Sequence, residues 1–164
     1  MRNITFVLAL CLSPFAATAS SVESVLPDAQ TRGEATFRFL GQPIYEARLL
    51  TKGGAAFDWN TDFGLELTYL RALTQFDLVE GTMREMNRIG APLPSESQLT
   101  ACFDDVTRGD TYLAVSDGPS KIHFYRNGQR ACTLAGPRIT RNFMSIFLGD
   151  NARSARFARR LQGV

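Results

Sequence analysis

Histidine is almost missing from this chain: His123 is the one example among 164 residues. A single imidazole cannot build the three- or four-ligand sites that zinc takes. The adjacent acids Asp104 and Asp105 point in different directions from a predicted helix and make a poor metal pair. No metal and no cofactor is expected. Also lacking are a Gly-x-Ser-x-Gly elbow, a Cys-x-x-Cys pair, a phosphate loop and a Gly-x-Gly-x-x-Gly turn. Their absence argues against a serine hydrolase, a dithiol redox site, a P-loop NTPase and a Rossmann dinucleotide enzyme. His123, between Ile122 and Phe124, reads as a structural or surface residue of a strand. Charge of one sign is scarce too: 18 Lys and Arg face 16 Asp and Glu, a net charge of +2. Such a balance selects no polyanion, and nucleic acid is not expected as a partner. Long apolar runs are lacking beyond the N-terminus, as are repeats and low-complexity tracts.

What is present begins with a leader. Met1-Arg2-Asn3 is a short basic start, Ile4 to Leu12 is apolar, and Ala17-Thr18-Ala19 offers small residues at a cleavage site. That is the pattern of a secretory signal over residues 1–19, with cleavage before Ser20. The run is too short for the roughly 20 residues of a membrane span. A periplasmic or secreted protein is expected, with residues 20–32 as a lead-in and residues 33–164 as one domain. Two cysteines remain after the leader, Cys102 and Cys132. An oxidising compartment permits a bridge between them; two separately buried thiols are the alternative.

Periodicity then divides the chain. Gly33 to Leu40, with Phe37 and Phe39 on one face, and Ile44 to Thr51 form a hairpin through a Gly41-Gln42-Pro43 turn. Ala56 to Trp59 is a candidate short strand. Leu65, Leu67 and Tyr69 alternate with Glu66, Thr68 and Leu70 in a half-buried strand. Thr74 and Asp77 make a capping box for a helix that stops at Gly90, and Ser95 and Gln98 make another. After the second box Leu99, Cys102, Phe103 and Val106 sit at the i, i+3, i+4, i+7 positions of a buried helical stripe. Strands follow over Thr111 to Ser116, Ser120 to Arg126 and Gln129 to Leu134, the last two joined by Asn127-Gly128, a strong hairpin signal. Helices close the chain, with Asn151 as cap of the last and Arg153, Arg156, Arg159 and Arg160 mostly outward. Segregated strands and helices predict an α+β domain, an antiparallel sheet with helices on one face.

The remaining motifs have ordinary explanations. Arg108-Gly109-Asp110 is a turn between helix and strand. The late arginines of the last helix suit its C-terminal dipole. Glu46 and Glu66 are single acids on separate strands, with no separation from which glycoside chemistry could be read.

In order along the chain, Phe39-Leu40-Gly41, Ile44-Tyr45-Glu46-Ala47-Arg48-Leu49, Leu65-Glu66-Leu67-Thr68-Tyr69, Glu85-Met86-Asn87-Arg88-Ile89-Gly90, Gly109-Asp110, Asn127-Gly128 and Ile146-Phe147-Leu148-Gly149 resemble the chalcone isomerase-like family in its short bacterial exported form. The resemblance spans roughly Gly33 to Leu161. It implies an open-faced β-sandwich with a cleft between sheet and helices. Plant enzymes of the family cyclise chalcones with an arginine, a threonine, a tyrosine and an asparagine around water; other members bind fatty acids. Carried over residue by residue, the threonine falls on Leu40, and the helix tyrosine and asparagine fall near Thr74 and Gly81. Arg38 and Arg32 remain as cations for a carboxylate or enolate, with Tyr45 as a further polar contact. The resemblance therefore implies a non-catalytic protein that takes an apolar, acidic small ligand such as a fatty acid. Two alternatives stand beside it: an intramolecular lyase of the chalcone isomerase type, and a periplasmic interaction module without a ligand.

Overall fold

The computed structural model describes Val22 and residues 25–164. The predicted signal over residues 1–19 lies outside the described residues. The fold is α+β. Its six strands are β1 (Ala29–Phe39), β2 (Gln42–Lys52), β3 (Phe63–Tyr69), β4 (Thr111–Asp117), β5 (Lys121–Arg126) and β6 (Gln129–Ala135). They form one antiparallel sheet in sequence order, β1 to β6. The helices are α1 (Gln75–Arg88), α2 (Glu96–Thr100), α3 (Ile139–Leu148) and α4 (Ala155–Gln162).

The two-residue period of strands sends alternate side chains to opposite faces. Phe37, Tyr45, Ala47, Leu49, Leu65, Tyr69, Ala114, Phe124 and Leu134 are buried in the main core with Met86 of α1, Phe143 of α3 and Leu161 of α4. The residues between them turn the other way. Most of these are polar, but Leu50, Leu113, Val115 and Tyr125 form a second, smaller cluster. Leu26 covers it, with Val22, Val25 and Ala29 packed alongside. The lead-in is therefore shorter than expected. β1 starts at Ala29, paired with Lys52, and Val22, Val25 and Leu26 pack on the opposite face of the sheet from the main core.

Local signals explain most boundaries. Both capping boxes form, Thr74 with Asp77 and Ser95 with Gln98. Asn127 and Gly128 take φ of 47° and 80°, as a two-residue type I′ hairpin requires. Four expectations need correction. The β1–β2 turn is Leu40-Gly41, with φ of 49° and 81°, and Gln42 and Pro43 belong to β2. Ala56 to Trp59 is loop, held by edge-to-face contacts of Phe57 with Trp59 at 4.9 Å and with Phe63 at 5.0 Å. The second helix ends at Thr100, so Asp104 and Asp105 lie in a loop; Val106 instead bridges Leu73. The last helix is capped by Ser154, whose side chain accepts from Phe157 N, and not by Asn151.

Two close contacts fix α4 against the sheet edge. Gly33 lies where a Cβ would come within 2.2 Å of the Arg160 carbonyl oxygen. Arg32 Nε donates to the Gln162 carbonyl at 2.9 Å, satisfying a helix-end acceptor. Across the sheet, Cys102 and Cys132 are joined as a disulfide, their Cα atoms 5.0 Å apart and 30 residues apart in sequence. The bridge ties the turn after α2 to β6.

Candidate functional site

A cleft of about 440 Å³ opens between the inner face of β1–β5 and the helices α1 and α3. It falls in the range of roughly 300–1,000 Å³ typical of small-molecule sites. Its floor is aromatic: Phe37 stacks on Tyr45 with centroids 5.1 Å apart, and Tyr45 meets Tyr69 edge-on at 6.1 Å. Leu78 and Gly81 of α1 and Phe147 of α3 line the walls. A Cβ placed on Gly81 would meet nothing within 4 Å.

An irregularity in the β1–β2 ladder shapes this floor. Phe37 pairs with Tyr45, but Arg38 pairs with Pro43, which leaves Ile44 as the extra residue of a β-bulge. A bulge re-aims side chains; here consecutive residues Ile44 and Tyr45 both line the cleft. The Ile44 carbonyl accepts from Leu70 N at 2.9 Å, which holds the chain after β3 beside the bulge.

The polar groups of the cleft are few. Burial pushes the phenols of Tyr45 and Tyr69 well above the ordinary tyrosine range; for Tyr45 the nearby Arg153 cation offsets part of that rise. Both therefore stay protonated donors, and neither phenol oxygen has a hydrogen-bond partner among the described residues. The Tyr112 hydroxyl is already engaged, accepting from Asp104 N at 2.9 Å. Arg153 places a charge directly on the aromatic floor, while Arg71, Asp77, Glu80 and Arg84 stand among the other lining residues. The Arg153 guanidinium lies 4.6 Å from the Phe37 centroid, and Nη2 pairs with Glu85 Oε1 at 3.2 Å. Arg153 Nε is buried without a partner. On the far side of Glu85, Arg88 Nε donates to Oε2 at 2.7 Å and its Nη2 to the Asn151 carbonyl at 3.0 Å. For Glu85, burial alone would raise the carboxyl pKa; the bonds from Arg88 and Arg153 outweigh it and hold the group below the usual range.

Of the three residues expected to contact a ligand, Tyr45 alone lines the cleft. Arg38 follows Phe37 on β1 and faces the opposite way, exposed, with Nη1 on the Gly41 carbonyl at 3.2 Å. Arg32 is taken by the end of α4. Both expectations are corrected by strand alternation and by helix packing. Arg153 was expected to point outward. It precedes the Ser154 cap, so the phase of the helix does not apply to it. Tyr69 carried a sequence signal, its place on the Leu65–Leu67–Tyr69 face.

Other sequence features fall away from the cleft. His123 contacts Asp117 at 3.2 Å, Thr133 at 3.1 Å and Arg130 at 2.7 Å, and does not line it. Asp110 accepts from Thr107 N at 2.7 Å, so Arg108-Gly109-Asp110 is a turn with Gly109 at φ 95°. Leu40 is 87% exposed. Among the described residues no group of three or more His, Cys, Asp or Glu is placed to hold a metal, and no helix is long and apolar enough to cross a membrane.

No protein-family model matches the sequence, and no curated protein matches it. Solved structures do match. The chain is similar to the fatty-acid binding protein of Arabidopsis thaliana with a TM-score of 0.63 and 10% identity, over 84% of this chain and 88% of that one. At that identity the likeness concerns the fold: the architecture is that of the chalcone isomerase-like fold.

Proposed function

We propose that this is an exported, non-catalytic binding protein whose cleft takes an apolar small molecule carrying one carboxylate, a fatty acid being the simplest case. One observation carries the reading. An apolar cleft is lined by two protonated phenols, Tyr45 and Tyr69, that no described side chain engages, with the Arg153 cation beside them. A few polar groups placed in an apolar cleft are the usual means of orienting a ligand. An acceptor-only carboxylate matches the O–H groups of Tyr45 and Tyr69 and the guanidinium of Arg153.

The tail would lie along the aromatic and aliphatic walls, where burial contributes about 25 cal/mol per Å². The head would accept from Tyr45, Tyr69 and Arg153. A charge-assisted hydrogen bond there is worth roughly 1.5–3 kcal/mol. Arg153 need not leave Glu85, because Nη2 makes that pair and the charge of the guanidinium still acts on the head. The neighbouring fold of a fatty-acid binding protein supports the reading at the level of architecture. Carbon-counted native mass spectrometry of the protein exported by its host tests it: a bound acid that leaves on mild activation is expected. An empty protein that also fails to take up palmitate would remove the proposal.

A further inference from the structure

The β1–β2 hairpin tip is built against both its packing and its backbone. Leu40 is 87% exposed and Phe39 is 57% exposed. Leu40 also holds a left-handed φ of 49° at the first turn position, where Asn, Asp or Gly is ordinarily found. A bulky residue with positive φ is strained, and such strain gathers at functional segments. Nothing within the fold repays it here, since the side chain is outside the core.

The tip borders the cleft. Phe39 lines its mouth together with Arg71, which the Ile44–Leu70 hydrogen bond places beside the hairpin base. Arg38 lies at the tip with its guanidinium on the Gly41 carbonyl. Neither Arg38 nor Arg71 makes an ion pair among the described residues. Of the acids on the same rim, Asp77 is held in the Thr74 capping box near Arg71, and Glu80 pairs with Arg84 at 2.9 Å. An apolar point flanked by two arginines that make no ion pair among the described residues complements one kind of surface, a bilayer with anionic headgroups, where the apolar residues enter the acyl boundary and the arginines meet phosphate.

We propose that Phe39 and Leu40, flanked by Arg38 and Arg71, dock this hairpin on an anionic lipid surface and bring the mouth of the cleft to it. The inference rests on the cleft taking a lipid-like ligand only for its purpose; the docking itself needs no ligand. Such docking loads and unloads a molecule that is nearly insoluble in water.

Co-sedimentation with vesicles of phosphatidylglycerol mixed with phosphatidylcholine tests it, against phosphatidylcholine alone. Wild type and variants are compared in the same full-chain background, so any pull from residues 1–19 cancels. Leu40→Asn is expected to lower partition by about tenfold or more. Asn tolerates positive φ, so its melting temperature stays at or above that of the parent, which shows that it folds. Arg38→Gln is expected to lower partition about fivefold on the anionic vesicles alone. Palmitate affinity measured without vesicles is expected to be unchanged by Leu40→Asn. Equal partition of wild type and Leu40→Asn, or an Arg38→Gln effect equal on both vesicle types, overturns the docking surface. Lipid docking without palmitate binding would reject the cleft's proposed function and leave the docking standing.

Discussion

Arg153 spans the rim of the cleft, stacked on Phe37 of β1 at 4.6 Å and paired with Glu85 of α1 at 3.2 Å. One cation thus connects the sheet to the long helix, and Glu85 is the buried acid on which the connection depends. Its lowered carboxyl pKa gives the pH dependence its sign. A depressed folded-state pKa means that stability is fully present above the unfolded value, about 4.3 for Glu, and is lost as pH falls through the folded one. Asp77 and Asp110, lowered by their hydrogen bonds from Thr74 and Thr107, act in the same direction. Melting temperature should fall below about pH 4.5. In Glu85→Gln it should start lower at neutral pH and decline less steeply on acidification, because that variant has lost the titrating group. Parallel curves for the two proteins would mean that Glu85 does not carry the effect.

The disulfide closes a 30-residue loop between the turn after α2 and β6. Loop-closure entropy for that length amounts to about 3–4 kcal/mol. Reduction, or Cys132→Ser, should lower the melting temperature by on the order of 10 °C. Free-thiol titration of the denatured, unreduced protein should find neither Cys102 nor Cys132. Two reactive thiols, or a melt insensitive to reductant, would refute the bridge.

Close packing of α4 on β1 makes Gly33 intolerant. In Gly33→Ala the new Cβ would lie 2.2 Å from a backbone oxygen, which has no rotamer with which to yield. Strand and helix must separate, and a loss of about 3 kcal/mol or more is expected by denaturant unfolding. Arg32→Ala should cost about 1 kcal/mol through the lost helix-end bond, with ligand affinity unchanged.

Gly81 offers the opposite case. It sits inside α1 with open space where a side chain would be. Gly81→Ala should stabilise by roughly 0.5–1 kcal/mol from helix propensity. Gly81→Phe should keep the fold and exclude the ligand by filling the cleft. A phenylalanine variant that binds as well as the parent would show that the ligand sits elsewhere.

The sheet was legible because its strands obey a period of two and its hairpin at Asn127-Gly128 uses the residues that a type I′ turn prefers. The helix starts were legible because Thr74–Asp77 and Ser95–Gln98 satisfy end groups reciprocally. What escaped has physical causes. Leu40 is no turn signal, so the β1–β2 turn was placed one to two residues late. Val106 continues a helical stripe in sequence but is held by a bridge to Leu73, a tertiary partner that no local window contains. At the site, Tyr45 was readable, and the alternation that put Phe37 and Phe39 on one face already argued that Arg38 takes the other. Arg153 was not readable, because its direction depends on the helix starting at Ser154 and on Glu85, 68 positions earlier in the chain.

Calorimetric titration of palmitate into the wild type and Arg153→Gln tests the central claim most directly. With about eighteen heavy atoms at roughly −0.3 kcal/mol each, palmitate should bind with a Kd of about 0.1 mM or tighter. One site per chain is expected, weakened about tenfold or more by Arg153→Gln and unaltered by Arg38→Ala. Absence of saturable binding up to millimolar acid, or an Arg153→Gln protein that binds like its parent, would contradict the account.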